Sequence, residues 1–419
     1  MENNVVAIWL WGSEVGRIYW DESLHRSVFA YSDDFLRGGV DISPLSASIR
    51  SVAAQQPIVG SREKLYQGLP PFLADSLPDK WGNLVFENWR KMHQIRSKQI
   101  NAVDKLSFIG SRGMGALEFR PAVPLEQMPD ALPLTELYRL AQRIFEERSE
   151  VRIMPDESLT MQSLYAVGTS AGGKHPKALI AINKQTGEVC SGQVDLGSDY
   201  EYFIIKFAEK GDFPITQVEY AYYLMAQDMG VEMMPSRLIE VDGAQHFLTQ
   251  RFDRRDGKRI HVQTLAAMME TADSYEDLLM VARRLGLSQE EQDQLFLRMV
   301  LNVLGGNVDD HTKNFSFLLA EGGEWHIAPA YDVTFTIDVD GAFYENRHEL
   351  SLLGKTEKIT RADLLQFARE NSIKRASSLV DQVVEALTKW LDYAQRATVP
   401  QQWAERIGKQ LEKLNDNRD

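Results

Sequence analysis

The feature that most constrains this sequence is a polar cluster enclosed by two apolar runs, within Leu304-Gly-Gly-Asn-Val-Asp-Asp-His-Thr-Lys-Asn-Phe-Ser-Phe-Leu-Leu319. The cluster contains residues that ionise or hydrogen-bond strongly, namely Asp309, Asp310, His311, Lys313 and Asn314. A core segment rarely carries so many of them, because each buried ionisable group needs a partner. A polar cluster between apolar runs therefore predicts a functional site held on a rigid scaffold.

The composition restricts the class of protein and its compartment. With 419 residues, the chain is long enough for roughly two or three domains. A net charge of −14 argues against a general binder of nucleic acid or of anionic membranes. The single cysteine, Cys190, excludes an intrachain disulfide and a cysteine-rich zinc site, which fits a reducing compartment. We find neither a signal-peptide pattern nor an apolar stretch of about 18 residues, so we expect a cytoplasmic protein without a membrane span.

Hydrophobic patterning divides the chain into three regions and predicts an α+β fold. Residues 1–130 are predicted to form a small α+β module that begins with a β-hairpin at residues 5–20. Residues 131–250 are rich in predicted strands, and residues 251–419 are mostly helical by pattern. The prolines concentrated between residues 121 and 133 are typical of a linker.

The same patterns predict individual elements. Further strands are predicted at 27–31, 116–120, 202–207, 236–241 and 245–252. Helices are predicted at 81–92, 105–109, 134–150, 217–229, 274–286, 288–304, 361–370 and 376–395. The segment from Ala166 to Ile182 is predicted to form a strand, a glycine-rich turn and a second strand.

The spacing inside the polar cluster points to phosphoryl transfer. Asp309 and Asn314 are five positions apart, as in the catalytic loop of protein kinases, where Asp accepts the substrate hydroxyl proton and Asn holds a metal ion. Lys313 is expected to meet the developing charge on the transferred phosphoryl group. Asp332 follows on a predicted strand-turn, where a kinase places its second metal-binding Asp. Hard oxygen ligands of this kind suit Mg²⁺ that is shared with phosphates.

The upstream residues follow in the order of a protein kinase. The glycine-rich turn, with Gly172 and Gly173, is expected to lie over phosphates and to donate backbone N–H groups to them. Lys206 lies in an apolar strand, where a lone ammonium needs an anion such as the α- and β-phosphates of ATP. A helix with Glu219 follows, and then the strand that leads to Gln250-Arg-Phe-Asp-Arg254, at the position of an interlobe hinge.

Each of these residues also has a plainer interpretation. The glycine pair is more often a simple hairpin turn, and Lys206 can extend its charge from an edge strand into solvent. Glu219 is as readily a solvated helix residue, and Asp332 can cap the next element. His311 can be a packed histidine that orients the loop. The order and the intervals of the elements, rather than any single residue, indicate a kinase.

These motifs resemble the HipA family of bacterial serine/threonine kinases, the toxins of HipA/HipB toxin–antitoxin pairs. The resemblance is carried by Asn307-Val-Asp-Asp-His-Thr-Lys-Asn-Phe-Ser316, Ala328-Pro-Ala-Tyr-Asp-Val333, Thr249-Gln-Arg-Phe-Asp-Arg254 and Ser170-Ala-Gly-Gly-Lys-His-Pro-Lys177. The N-terminal hairpin module and Leu350-Ser-Leu-Leu-Gly-Lys355 are also similar, so the resemblance covers essentially the whole chain.

The resemblance implies a two-lobed fold akin to protein kinases and phosphoinositide kinases. It makes residues 1–130 an extra N-terminal subdomain and residues 131–250 a β-rich kinase N-lobe with the glycine-rich loop. Residues 251–419 become a mostly helical C-lobe with the catalytic loop.

The resemblance also implies roles for individual residues. Asp309 matches the catalytic Asp, while Asn314 and Asp332 match the Mg²⁺ ligands. Ser170 matches a serine whose autophosphorylation switches family members off, because its phosphate competes with ATP for the same N–H groups. The residues expected at the ATP site are Gly172, Gly173, Lys177, Lys206, Gln250, Phe252 and His311.

Further expectations concern partners and substrate. The family implies a protein substrate such as an aminoacyl-tRNA synthetase, and growth arrest through blocked translation. It also implies a HipB-like helix-turn-helix antitoxin, with DNA contacted only through that antitoxin. Two residues depart from the family pattern. Gln250 stands where relatives usually have Glu, and Asp310 adds a negative charge beside the catalytic Asp.

Two other functions are compatible with the sequence. One is a catalytically silent kinase-fold module that acts with a DNA-binding antitoxin as a repressor component. The other is a small-molecule kinase on a related fold. The intact set of Lys206, Asp309, Asn314 and Asp332 favours an active kinase over the silent module.

Overall fold

A computed structural model of the chain describes residues 5–95, 100–124, 131–148, 151–168, 173–338 and 346–416. Ser170 and Gly172, two of the predicted site residues, lie outside these ranges. The strands are β1 Val6–Leu10, β2 Ser13–Asp21, β3 Arg26–Tyr31, β4 Ile58–Val59, β5 Leu117–Arg120, β6 Lys177–Asn183, β7 Val189–Ser191, β8 Tyr200–Lys206, β9 Ser236–Val241, β10 Ala244–Gln250, β11 Arg254–Arg255, β12 Lys258–Arg259, β13 His261–Thr264, β14 Ser316–Leu319 and β15 Trp325–Ile327. The helices are α1 Asp33–Gly38, α2 Pro71–Ala74, α3 Lys80–Met92, α4 Ala102–Ile109, α5 Leu134–Glu147, α6 Ser158–Gly168, α7 Ile215–Asp228, α8 Leu265–Met268, α9 Tyr275–Arg284, α10 Gln289–Gly305, α11 Arg361–Glu370, α12 Ala376–Leu387, α13 Trp390–Arg396 and α14 Gln401–Asp416.

The N-terminal region is built on an antiparallel sheet with the strand order β4-β3-β2-β1-β5. β1 and β2 form the predicted hairpin. Val6, Ile8 and Leu10 are buried on one face of β1, as the period of two requires for a strand with one face in the core. Helices α2 and α4 pack against this sheet and complete the core of the region.

A second antiparallel sheet, in the order β7-β6-β8-β10-β9, forms the β-rich middle of the chain. Helices α3, α5 and α6 pack on one of its faces, and α7 packs on the other. Phe247 and Leu248 of β10 show this division, because these consecutive residues enter opposite cores. Although α3 precedes the predicted linker, its residues Trp81, Val85 and Trp89 belong to the core of this second sheet.

The prediction of a strand before the glycine-rich turn is wrong. Ala166 and Val167 form the last turn of helix α6 instead. The helix buries Met161, Leu164 and Tyr165 together with α3 and α5, so its apolar residues are satisfied by helix packing. A short apolar run does not distinguish a strand from a buried helix, which explains the error.

The last part of the chain is mostly helical and is organised around α10. This helix is buried along its whole second half, from Leu295 to Gly305, and α9, α12 and α14 contact it. The helix predicted at 376–395 is divided into α12 and α13 around Thr388 and Lys389. The last helix, α14, was not among the predicted elements. A small sheet has the strand order β13-β14-β15, and the polar cluster directly precedes β14 in the chain.

This arrangement confirms the predicted fold class. The chain is an α+β protein with a β-rich lobe, a mostly helical lobe and an added N-terminal α+β region. Within the ranges described, no helix has the length and apolar character that a membrane crossing needs.

Candidate active site

The polar cluster lies in a loop between the buried helix α10 and the buried strand β14. Gly306 ends α10 in the left-handed conformation, with φ of 70°, and its N–H donates to the carbonyl of Asn302. The loop then runs to a single 3₁₀ turn at Thr312–Asn314 before β14 begins. Because both flanking elements are buried, the loop is held at both ends.

Asp309 projects from this loop, and its carboxylate is 41% exposed. The backbone N–H groups of Val308 and Asp309 both donate to Oγ1 of Thr336, at 2.7 and 3.2 Å. Nδ2 of Asn314 donates to the carbonyl of Asp309 at 2.8 Å. The backbone is therefore fixed while the carboxylate stays accessible, 3.4 Å from Nζ of Lys174.

Asp310 is fully buried and points the other way. Its Oδ2 accepts hydrogen bonds from the hydroxyl of Tyr275 and from Nδ1 of His348, the latter at 2.7 Å. Its Oδ1 accepts the backbone N–H of Glu349 at 2.8 Å. Asp310 therefore fastens the loop to helix α9 and to the segment that begins at residue 346.

Lys206, at the end of β8, lies between two carboxylates. Its Nζ is 2.5 Å from Oε1 of Glu219 on α7, and it also donates to Oδ1 of Asp332. Asp332 adopts a φ of 52°, a left-handed conformation that aspartate adopts more readily than most residues other than glycine. Its side chain is 32% exposed, so the same carboxylate contacts Lys206 and remains open to solvent. The region around Lys206, Asp309 and Asp332 is called the cleft below. Glu219, which the sequence left undecided, is buried and pairs with the lysine.

The charges of Lys206, Asp332 and Glu219 shift one another's pKa values. Burial alone would raise the pKa of Asp332, but Lys206 and Lys177 outweigh burial and hold that pKa well below its usual range. Burial would lower the pKa of Lys206, whereas Asp332 and Glu219 raise it above its ordinary value. Burial raises the pKa of Glu219 despite the neighbouring ammonium. The cleft thus contains an ionised carboxylate and a protonated lysine at neutral pH.

Two lysines lie side by side at one end of the second sheet. Lys177 of β6 and Lys206 of β8 are direct cross-strand partners, so their side chains leave the same face. Lys177 is buried, and burial lowers its pKa. Asp332 and Glu219 offset part of the repulsion between these like charges, and the two ammonium groups together suit an anionic ligand such as a polyphosphate.

The predicted hinge residues lie near an aromatic pair. Gln250 is the last residue of β10, and its N–H donates to the carbonyl of Pro235. The centroids of the Phe252 and Tyr331 rings are 5.6 Å apart. This pair offers an apolar surface of the kind that binds a planar base.

Arg251 and Asp253, between the hinge residues, form a fully buried ion pair. Nε and Nη2 of Arg251 donate to the two oxygens of Asp253 at 2.9 and 2.8 Å. The N–H of Gly115, from the N-terminal region, donates to the same carboxylate at 2.7 Å. This part of the motif is therefore structural and ties the hinge to the N-terminal region.

His311 and Asn314 present atoms that a ligand would satisfy. Nδ1 of His311 is buried and has no hydrogen-bond partner in the part of the chain that the structure describes. Because Nδ2 of Asn314 is used by the loop backbone, its Oδ1 is the atom suited to a hard cation. Across the described ranges no group of three or more His, Cys, Asp or Glu forms a metal site, so Asn314 and Asp332 would need ligand oxygens to complete one.

Sequence reasoning missed two residues at the start of α3 that reach this cleft. Asp79 accepts a hydrogen bond from Nζ of Lys313 at 2.6 Å and another from the N–H of Gly173 at 3.0 Å. Nε1 of Trp81 donates to the carbonyl of Lys177 at 2.8 Å. Asp79 and Lys313 are 234 positions apart, so no local pattern could have joined them.

Comparison with protein families gives two matches along the chain. The model described as "HipA-like C-terminal domain" matches residues 169–391, which is more than half of the chain. The model described as "HipA N-terminal domain" matches residues 6–120.

Individual relatives match between half and nearly all of the chain. A protein of Sinorhizobium fredii named "Putative kinase Y4mE" is 26% identical over 94% of this chain and 93% of its own length. A Haemophilus influenzae protein named "Putative kinase" is 23% identical over 50% of this chain and 64% of its own length. A chain from the solved complex of Shewanella oneidensis HipA, HipB and operator DNA superposes with a TM-score of 0.67 and 15% identity, over 98% of this chain and 96% of that one. At that identity the structural likeness is one of fold.

Proposed function

This chain belongs to the HipA family, and we propose that it is an ATP- and Mg²⁺-dependent protein serine/threonine kinase that acts as a growth-arresting toxin. The observation that carries the proposal is the position of Lys206, between Glu219 and Asp332. In active protein kinases the corresponding Lys–Glu ion pair and the metal-binding Asp must both be in place. The choice of serine or threonine as the acceptor rests on the resemblance to the family.

The ATP site would be formed by residues of both lobes. Lys206 and Lys177 would hold the phosphates, and Phe252 with Tyr331 would contact the base beside Gln250. His311 would form a hydrogen bond with the bound nucleotide through Nδ1, as donor or acceptor according to its tautomer. Gly173 belongs to the same site, and Gly172 is assigned to it from the sequence. Asn314 and Asp332 would hold Mg²⁺ through their oxygens, together with phosphate oxygens. When bound, ATP would supply the γ-phosphoryl group, and Mg²⁺ would offset the negative charge of that group.

Asp309 is the proposed base. It accepts the proton of the substrate hydroxyl while the hydroxyl oxygen bonds to the γ-phosphorus and the bridging oxygen leaves with ADP. Lys313 stabilises the charge that develops on the transferred group. The exposure of the Asp309 carboxylate supports this role, because a substrate must reach it. Asn314 holds the loop backbone at Asp309 and so fixes the direction of the base.

Regulation and partners follow from the family. We propose that Ser170 is an autophosphorylation site that switches the kinase off, since a phosphate there would compete with ATP. The similar Shewanella oneidensis structure contains HipB and operator DNA, which supports a HipB-like antitoxin as a partner. We propose that this antitoxin makes the DNA contacts. The proposed substrate is a protein of the translation apparatus, such as an aminoacyl-tRNA synthetase.

The test is transfer of radiolabelled phosphate from ATP by the purified full-length protein with Mg²⁺. Asp309→Asn removes the base and is expected to lower transfer about a hundredfold or more, and to relieve growth arrest in cells. Asp392→Asn, at an exposed acid of α13, serves as the matched control and should retain activity. Labelling that is unchanged by Asp309→Asn would refute the assignment.

Two further measurements examine the finer parts of the proposal. A phosphoproteome after induction should gain phosphate at protein serines or threonines; without any such site, a small-molecule substrate becomes the better assignment. Mass spectrometry of the purified protein should find phosphate on Ser170, and Ser170→Ala should raise toxicity. Phosphate found only on another residue would remove the switch and leave the kinase assignment in place.

A further inference from the structure

We infer that Asp79, at the start of α3, positions Lys313 for phosphoryl transfer and joins it to the end of the glycine-rich segment. This inference rests on the proposed kinase function. It adds to the reaction a carboxylate that precedes the predicted kinase lobes in sequence and is carried by α3, the helix that packs on the second sheet.

The Asp79 carboxylate bridges two parts of the cleft. Its Oδ1 accepts from Nζ of Lys313 at 2.6 Å, and its Oδ2 accepts from the N–H of Gly173 at 3.0 Å. The side chains of Asp79 and Lys313 are 27% and 22% exposed, so solvent screens this pair only in part. One carboxylate therefore sets the separation between the catalytic loop and Gly173.

The local structure around Asp79 is unusual for its position. Asp79 is the N-cap of α3, where an aspartate normally accepts an N–H of the first helical turn. Its side chain makes no capping bond, because both oxygens are directed to Lys313 and Gly173. The N–H of Trp81 donates to the carbonyl of Gly173 at 3.1 Å, and its indole donates to the carbonyl of Lys177. The first turn of α3 thus holds both ends of the segment from Gly173 to Lys177.

This contact fixes a side chain that would otherwise be flexible. An ammonium has three N–H donors, so Lys313 can keep its bond to Asp79 and still donate to oxygens of the transferred phosphoryl group. Holding the charge in place before the reaction lowers the cost of orienting it in the transition state. Without Asp79, Lys313 is free to turn toward other carboxylates of the cleft. Since the lysine acts on the transferred group, its displacement should lower kcat more than it raises KM for ATP.

The experiment is a double-mutant cycle on the full-length protein, with steady-state phosphotransfer at saturating and limiting ATP. Asp79→Asn is expected to lower kcat about tenfold to a hundredfold, with KM for ATP changed by no more than about threefold. Lys313→Gln should produce a similar loss, and the double variant should be no slower than the slower single variant. Asp79→Glu, which keeps the negative charge, should retain more activity than Asp79→Asn.

The matched control is Asp41→Asn, in the N-terminal region. Asp41 also accepts hydrogen bonds, from the Ser48 hydroxyl at 2.5 Å and the Ile49 N–H at 3.4 Å, but it has no part in the cleft. Its variant should keep kcat within about twofold of the wild type. Multiplicative losses in the cycle, or equal kcat for Asp79→Asn and Asp41→Asn, would overturn the inference. A wild-type protein without Asp309-dependent transfer would instead refute the proposed function.

Discussion

Asp309 and Asp310 are consecutive in the chain and lie in opposite environments. Asp309 has an exposed carboxylate at the cleft, whereas Asp310 has none of its surface exposed and accepts three hydrogen bonds. Asp309 can therefore be changed without disturbing the core, whereas a change at Asp310 removes buried hydrogen bonds. These bonds explain Asp310, whose role the sequence left open, as the anchor of the loop to Tyr275 and His348.

We therefore predict opposite effects for the two acids. Asp310→Ala should lower the free energy of unfolding by about 3 kcal/mol or more, because it leaves buried partners without their carboxylate. Asp309→Ala should change that free energy by no more than about 0.5 kcal/mol while abolishing phosphotransfer. Urea denaturation and the labelling assay measure the two quantities. Equal stability of the two variants would contradict the role given to Asp310.

At the scale of elements, the junction at the end of α10 fixes the position of the loop that carries the polar cluster. Gly306 turns the chain out of α10, and its carbonyl accepts the N–H of Thr336 at 3.1 Å. The hydroxyl of the same threonine receives the N–H groups of Val308 and Asp309. A single helix end therefore aligns the loop with the segment that follows Asp332.

Gly306→Ala is predicted to be more damaging than a glycine replacement at the end of another helix. A Cβ at Gly306 would lie 2.9 Å from Ile337 and 3.2 Å from Leu414 and Phe335, in addition to the cost of a left-handed φ. We expect a loss of about 3 kcal/mol in the free energy of unfolding, together with reduced phosphotransfer.

Gly230→Ala provides the matched comparison. Gly230 follows α7 with a φ of 75°, and a Cβ there would meet only the end of the Gln382 side chain, at 3.4 Å. The left-handed conformation alone should cost about 1 kcal/mol. Similar denaturation midpoints for the two variants would show that the contacts around Gly306 do not constrain the junction.

At the scale of the whole molecule, the N-terminal region is joined to the rest of the chain through buried and part-buried polar contacts. The hydroxyl of Tyr66 donates to the carbonyl of Ala266, and the indole of Trp11 donates to the carbonyl of Arg259, both at 2.9 Å. His261 of β13 is buried at the same boundary, with Nε2 3.4 Å from the carbonyl of Ile42. These contacts fix the N-terminal region against the segment from Arg259 to Ala266.

The buried His261 predicts that acid weakens the fold. Burial lowers the pKa of His261 to about 4, below its ordinary value of 6.5, so the neutral form is favoured in the folded state. Its contribution to stability is complete above pH 6.5 and is lost as the pH falls toward 4, at about 1.4 kcal/mol per pH unit. Between pH 7.5 and 5.0, this group should cost the wild type about 2 kcal/mol.

Urea unfolding at the two pH values measures this loss. His261→Gln should remove about 2 kcal/mol of the acid sensitivity, since glutamine does not titrate. His326→Gln, at an exposed histidine of β15, is the control and should keep the wild-type sensitivity. A His261→Gln variant as sensitive to acid as the wild type would rule out the buried histidine as the cause.

The sequence by itself predicted most of the elements and the order of the proposed site residues. The hairpin, the helix with Glu219 and the run from Asp309 to Asn314 depend on periodicity and spacing within short windows, which are visible in one dimension. The strand predicted from Ala166 was wrong because a short apolar run fits either a strand or a helix.

The tertiary structure alone decided which residues meet. It paired Lys206 with Glu219, turned Asp310 toward His348, and placed Asp79 against Lys313. These contacts join residues separated by 13 to 234 positions, and each one depends on how whole elements pack. Packing satisfies a buried charge with whichever partner the fold brings within reach, and a sequence pattern does not encode that partner.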